Sequence, residues 1–230
     1  MLLCQPDSVK SCCACCGLFN YKDLSRESLE RFLGDGAVRS AAYLKAKDDS
    51  DAGDPSLVRD ITSYVCPHQG FLAAGRPGCL LHPLHRGVSA RHSSFFGEKI
   101  CDSFLCPAHS LYSDWQKDIL IGMIDDWYFY TIAIIDPASV LWLFNILRDR
   151  FGIRPERDGR TKKILLDFLA IHASHLRSTE APLFFYSAPE YRLGFVNFSL
   201  GSDSPLVEEE RSEVLGMIRN RIGLSEPPGT

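Results

Sequence analysis

The sequence predicts a mainly helical α+β protein, and three observations carry that expectation. All nine cysteines, Cys4, Cys12, Cys13, Cys15, Cys16, Cys66, Cys79, Cys101 and Cys106, precede residue 107. From about residue 110 onward the chain consists of long amphipathic runs. A late stretch then switches to aromatic and branched residues on either side of a turn. Together they divide the chain into residues 1–109, a cysteine-rich metal-binding region, and residues 110–230, a helical region carrying a β-hairpin. The expected architecture is an irregular, metal-organised N-terminal part packed on the C-terminal helices.

The elements follow in order. Ser25 is a good N-cap for a helix whose apolar stripe is Leu29, Phe32 and Leu33, and Gly34 and Gly36 should end it. Residues 47–60 are acidic and poor in apolar side chains, as in a solvated loop. Residues 70–97 mix Gly, Pro and His without periodicity, which predicts irregular backbone. Helices are expected over 113–130, 137–151 and 161–176, with Pro137 near the start and Gly152 after the end of the middle one. The β-hairpin pairs 183–186 with 191–200 across Ser-Ala-Pro-Glu. Ser204-Pro205 with Glu208, Glu209 and Glu210 then opens a last helix, which should bury Val207, Val214, Leu215, Ile218 and Ile222. Only residues 225–230 read as a disordered tail.

Composition narrows the function classes. A chain of 230 residues with 45% hydrophobic content can bury its own core. A formal charge of -4 and a pI near 6.0 argue against a broadly basic nucleic-acid surface. The few residues before Cys4 lack the basic and apolar stretches of an export signal, and Asp125 and Asp126 interrupt the most apolar run. The expectation is a cytoplasmic protein without a membrane span, with a metal ion as its partner. In reducing cytosol, nine thiols call for ligation or redox chemistry rather than disulfides.

Thiolates are soft ligands suited to zinc and to iron–sulfur clusters, and such sites combine close-spaced pairs with ligands from far along the chain. The run CCACCG spaces Cys12 from Cys15, and Cys13 from Cys16, by two residues, and Gly17 lets the backbone turn afterwards. The distal thiols are Cys66 in YVCPHQG, Cys79 in GRPGCLLHP, and Cys101 and Cys106 in CDSFLCPAH. These eight are the candidate metal ligands, while Cys4 reads as a surface thiol. Adjacent side chains point apart, so one of Cys12 and Cys13 should ligate, with Cys12 completing a C-x2-CC unit. His68, His82, His85, His92 and His109 lie near cysteines in the sequence, and His68 and His82 are the nearest.

Other signatures are missing or bland. There is no phosphate-binding Gly-rich loop, G-x-S-x-G elbow or C-x3-C-x2-C triad. His172 and His175 share a helix face but stand outside any H-E-x-x-H unit. Asp125 and Asp126 would point about 100° apart on a helix, which suits a solvated edge better than acid–base work. The aromatic run 127–130, with Trp142 and Phe144, reads as core.

These motifs resemble the YkgJ-type cysteine-cluster (CxxCxxCC) family of zinc- or iron-chelating proteins. The likeness covers roughly residues 10–107 and rests on Cys15-Cys16-Gly17, Cys66-Pro67, Cys79-Leu80-Leu81-His82, and the closing Cys101 to Cys106 around Phe104. Here the opening C-x2-C-x2-CC is compressed to CCACC, and Arg76-Pro77 precedes Cys79 instead of following it. The resemblance implies chelation by Cys15, Cys16, Cys66, Cys79, Cys101 and Cys106, joined by Cys12 and Cys13, and it brings no reaction. The sequence thus predicts a protein holding zinc or an iron–sulfur cluster. The alternatives are a metal-dependent enzyme whose incompletely ligated metal works beside a histidine, and a metal-free thiol-redox protein using the C-x-x-C unit.

Overall fold

In the computed structural model, which describes residues 2–46, 65–72, 75–94, 97–106, 108–178 and 205–223, Ser25 caps the first helix by accepting a 3.3 Å hydrogen bond from the Ser28 amide. Helix α1 (Arg26–Gly34) is followed by α2 (Gly36–Ala46), β1 (Gln69–Phe71), β2 (Pro77–Cys79), α3 (Pro83–Arg86), α4 (Glu98–Ser103) and α5 (Ala108–Leu111). Then come α6 (Asp114–Met123), α7 (Trp127–Ile135), α8 (Pro137–Asp149), α9 (Gly159–Ser178) and α10 (Pro205–Ile222). Helices with one two-stranded antiparallel sheet make this a mainly helical α+β fold. The acidic loop, the hairpin over 183–200 and the tail lie outside the described residues.

Three expectations about the elements need correction. α1 does end at Gly34 as expected, but Gly36 opens a second helix, α2, with only Asp35 between the two. Gly36 is needed for close approach: a Cβ there would lie 2.3 Å from the Gln69 carbonyl oxygen and 2.6 Å from the Gly70 Cα. Gly36→Ala is therefore expected to destabilise the protein by about 1–3 kcal/mol, as overpacking against backbone does. A urea midpoint equal to that of the wild type would show that α2 and β1 can separate freely.

The second correction concerns residues 70–97, where β1 and β2 form a hairpin in the register Gln69↔Cys79, Gly70↔Gly78 and Phe71↔Pro77. Strands of three residues containing Gly and Pro have no alternation to read. The third is the helix expected over 113–130, which is split after Met123. Ile124 is extended, and Asp126 caps α7 by accepting from the Phe129 amide at 2.9 Å. Asp126 also pairs with Arg26 at 2.7 Å, and Asp125 with Lys162 at 2.8 Å, so the acidic pair divides a helix instead of decorating one.

α7 is apolar on every side because it runs through the centre, with Tyr130, Ile132, Ala133 and Ile135 fully buried. Asp136 ends α7 and caps α8, accepting from the Ser139 amide at 3.2 Å and its hydroxyl at 2.7 Å. Among the described residues no single helix is long and apolar enough to cross a membrane. The pair α7–α8 has the length and composition but is bent by 92° and supplies the core. That core also takes Leu3, Leu18, Phe19, Leu24, Leu29 and Leu33 from the N-terminal region. Two tyrosines stitch the regions together: the Tyr130 hydroxyl donates to the Leu3 carbonyl at 2.8 Å, and Tyr128 to that of Leu24 at 2.7 Å. One apolar cluster thus spans both halves of the chain.

Candidate metal centre

The opening loop is built to fold back on itself. The Asp7 carboxylate accepts from the amides of Val9 and Lys10 at 2.8 Å each, and it pairs with the buried Lys10 ammonium at 2.6 Å. This turn returns the chain so that the Cys12 amide donates to the Cys4 carbonyl at 3.0 Å. After the cysteines, Gly17 takes a left-handed conformation at φ 80°, and the chain enters a 3-10 turn at Leu18–Asn20. Backbone bonds then bring the distal cysteines alongside. The Cys66 amide donates to the Cys16 carbonyl at 2.9 Å, and the buried Gln69 amide group bonds the carbonyls of Cys16 and Cys66 at 2.8 and 3.1 Å. The β1–β2 register carries Cys79 to the same place, and the Ser11 hydroxyl donates to the Pro77 carbonyl. Arg91 anchors the last segment, donating to the Cys101 carbonyl at 3.2 Å and pairing with Asp102.

These links surround a cavity of about 260 Å³ with seven cysteines on its wall: Cys4, Cys12, Cys13, Cys15, Cys16, Cys79 and Cys101. His82, Arg91 and Phe104 share that wall. Cys66 lies behind it, close enough for its charge to act on Cys13 and Cys16, and Cys106 stands in the same relation to Cys4, Cys12 and Cys15. All eight candidate ligands therefore belong to one neighbourhood, and none of the nine thiols is in a disulfide. Among the described residues, however, no three His, Cys, Asp or Glu side chains already stand in an arrangement that grips one ion.

Burial shapes the protonation of this basin. It pushes the thiols of Cys4 and Cys106 up to about 12, with the Cys15 charge adding to the effect. Burial likewise raises Cys12, Cys13, Cys79 and Cys101. Cys16 is raised first by the hydrogen bond that its thiol donates to Cys15, and the same bond holds Cys15 below the ordinary thiol value. Neutral thiols around one thiolate-prone sulfur let the basin exist without mutual repulsion, and a metal would bind by displacing their protons.

The histidines separate clearly. His82 lines the cavity, and burial lowers its pKa, which favours the neutral, ligating form. His109 places Nε2 3.5 Å from the Cys4 Sγ. His68 turns away: it is fully buried, its Nδ1 lies 2.7 Å from the Ser40 hydroxyl, and its ring stands edge-on to Tyr43. His85 and His92 are exposed, and His172 and His175 pair with Glu210 and Glu213 in the C-terminal helices. The sequence reading missed Cys4, which is half-buried on the cavity wall instead of a surface thiol. The available signal was the Pro6-Asp7-Ser8 turn, which reverses the chain between Cys4 and Cys12.

No family model, no curated protein and no solved structure matches the chain. Its class rests on its own features: a mainly helical α+β protein with a cysteine-walled cavity beside its core.

Proposed function

We propose that the protein binds metal, holding zinc or an iron–sulfur cluster through its clustered cysteines, in the manner of the YkgJ-type family that its motifs resemble. The observation that carries this reading is the cavity walled by seven cysteines drawn from four separate stretches of chain. Thiols that merely filled a core would have no reason to line an opening together, whereas soft-metal sites gather their ligands in this way. That none of the nine cysteines is in a disulfide fits a reducing, cytoplasmic location. Holding the metal is the role assigned; no catalytic step is.

Protein purified without oxygen is expected to carry metal, and its colour separates the two forms. Brown protein with iron and acid-labile sulfide holds a cluster, and colourless protein with zinc holds a structural ion. Metal-free protein that takes up neither zinc nor iron, and whose thiols cycle reversibly to a disulfide, would overturn the reading in favour of redox chemistry.

A further inference from the structure

A second cavity lies away from the cysteines, where α6, α8 and the loop between α8 and α9 meet. It measures about 610 Å³, a size that suits a small-molecule ligand. Helical spacing puts Trp115, Asp118 and Ile119 on one face of α6, with Gly122 a turn further along, and it puts Phe144 and Arg148 on one face of α8. The loop supplies Arg154, Glu156 and Arg157. Its own hydrogen bonds hold it in shape: Gly152 takes a left-handed φ of 63°, the Ile153 amide donates to the Leu147 carbonyl at 2.8 Å, and the Glu156 amide donates to the Thr161 hydroxyl at 3.3 Å.

Trp115 is 46% exposed, and its ring is backed by Phe144 with 5.7 Å between centroids. A lone exposed apolar side chain needs no explanation, but this one shares a wall with three guanidiniums. That of Arg157 lies across Gly122, where a Cβ would come within 2.4 Å of it, and donates to Asp118 at 3.3 Å. Arg148 and Arg154 pair with Asp149 and Glu156 at 2.7 and 3.8 Å. All three pairs are exposed to solvent and therefore weak, so a phosphate can take over the guanidiniums. The surroundings favour an anion: residues 148–163 carry seven Arg or Lys against three Asp or Glu, a net +4 in a chain of net charge -4. We propose that this cavity binds a nucleotide unit, with its base stacked on Trp115, its phosphates on Arg148, Arg154 and Arg157, and its ribose hydroxyls donating to Asp118 or Glu156. The two carboxylates on the wall decide against an acidic peptide or inorganic phosphate, which would meet them with like charge and offer no hydroxyl in return.

This cavity shares no residue with the cysteine-walled one, so its test is independent of metal binding. The full chain is titrated calorimetrically with ATP, with tripolyphosphate, and with a single-stranded oligouridylate of about 12 nucleotides. ATP suffices as the free-nucleotide probe because every base has a face to stack. ATP is expected to bind, Trp115→Ala to weaken it by about 5- to 100-fold, and Trp115→Phe to keep most of the affinity. Arg154→Ala should weaken it about tenfold. Gly122→Ala keeps every charge and favours the helix but displaces Arg157, so it should weaken binding while the far-UV helical signal stays unchanged. ATP binding at least as tight as the strand assigns the site to a free nucleotide. Tighter binding of the strand, reduced by Arg160→Ala with Lys163→Ala outside the cavity wall, assigns it to a nucleotide within a strand. The proposal is overturned if neither ATP nor the strand binds. It is equally overturned if tripolyphosphate binds as tightly as ATP and Trp115→Ala changes neither, since charge alone would then account for the binding.

Discussion

Replacing His172 with alanine is expected to destabilise the protein by about 3–5 kcal/mol, the usual cost of breaking a buried ion pair by removing one partner. His172 sits in the seam where α9 packs on α10 and α7, with no exposed surface. Its Nδ1 is 2.6 Å from the Glu210 carboxylate on α10, and its Nε2 is 3.5 Å from the Asp136 carboxylate at the start of α8. The second distance is beyond a good hydrogen bond but within ion-pair reach. Phe168 stacks on the ring at 5.6 Å. Without the imidazole, two buried carboxylates face one another across a cavity. One turn further along, His175 pairs with Glu213 at 3.2 Å, but Glu213 is 54% exposed, so solvent weakens that bond.

The same triad should make stability depend on pH. Burial opposes the charged imidazole, but the close Glu210 hydrogen bond and the negative charges of Asp136 and Glu210 outweigh it and raise His172 from 6.5 to about 9. A raised folded-state pKa contributes stability that is fully present below pH 6.5 and is lost as the pH climbs through 9. The contribution is on the order of 3 kcal/mol. Urea unfolding of the wild type from pH 6 to 10 should show this loss, and the difference between wild type and His172→Gln isolates it from the thiols, which both proteins share. Equal stabilities of wild type, His172→Ala and His172→Gln at pH 6 would mean that the carboxylates are neutralised some other way.

That triad was invisible in the sequence, and the reason is physical. His172 and His175 were legible as a helix face, and Glu210 as a charge favouring a helix start, but nothing local says that two helices 38 residues apart along the chain will align them. The amphipathic helices were legible because their faces repeat within a turn or two, as in α8 and α9. Their breaks were harder to read: Asp126 divides α6 from α7 by capping, and capping competes with apolar periodicity that runs straight through Ile124. Gly36 shows the converse error, since a glycine that permits close approach has the same sequence signature as one that ends a helix. For the site, clustering made the eight cysteines candidates, while Cys4 and His109 were set aside because their relation to the rest depends on a turn and on tertiary folding.

On the proposed metal-binding reading, stripping the metal under reducing conditions is expected to loosen the cysteine-bearing segments while leaving the helical core standing. Metal binding and folding are coupled wherever a segment cannot bury enough apolar surface alone, and in zinc-finger peptides the coupling amounts to about 10–16 kcal/mol. β1 and β2 have three residues each and α3 has four, so their order depends on what holds their ends together. The core does not share that dependence. Leu18, Leu24, Leu29 and Leu33 are at most 1% exposed and belong to the same apolar cluster as Ile132 and Phe168, each contributing roughly 1.5–3 kcal/mol without any metal. A chelator should therefore preserve most of the far-UV helical signal, while amide exchange quickens in β1, β2, α3 and α4 and stays slow in α1, α7 and α9. Loss of all helical signal in one cooperative step would contradict this. It would mean that Cys13 and Cys106, which lie in the apolar cluster itself, transmit the loss of metal to the core, making the metal part of the single folding unit and not a clasp on its edge.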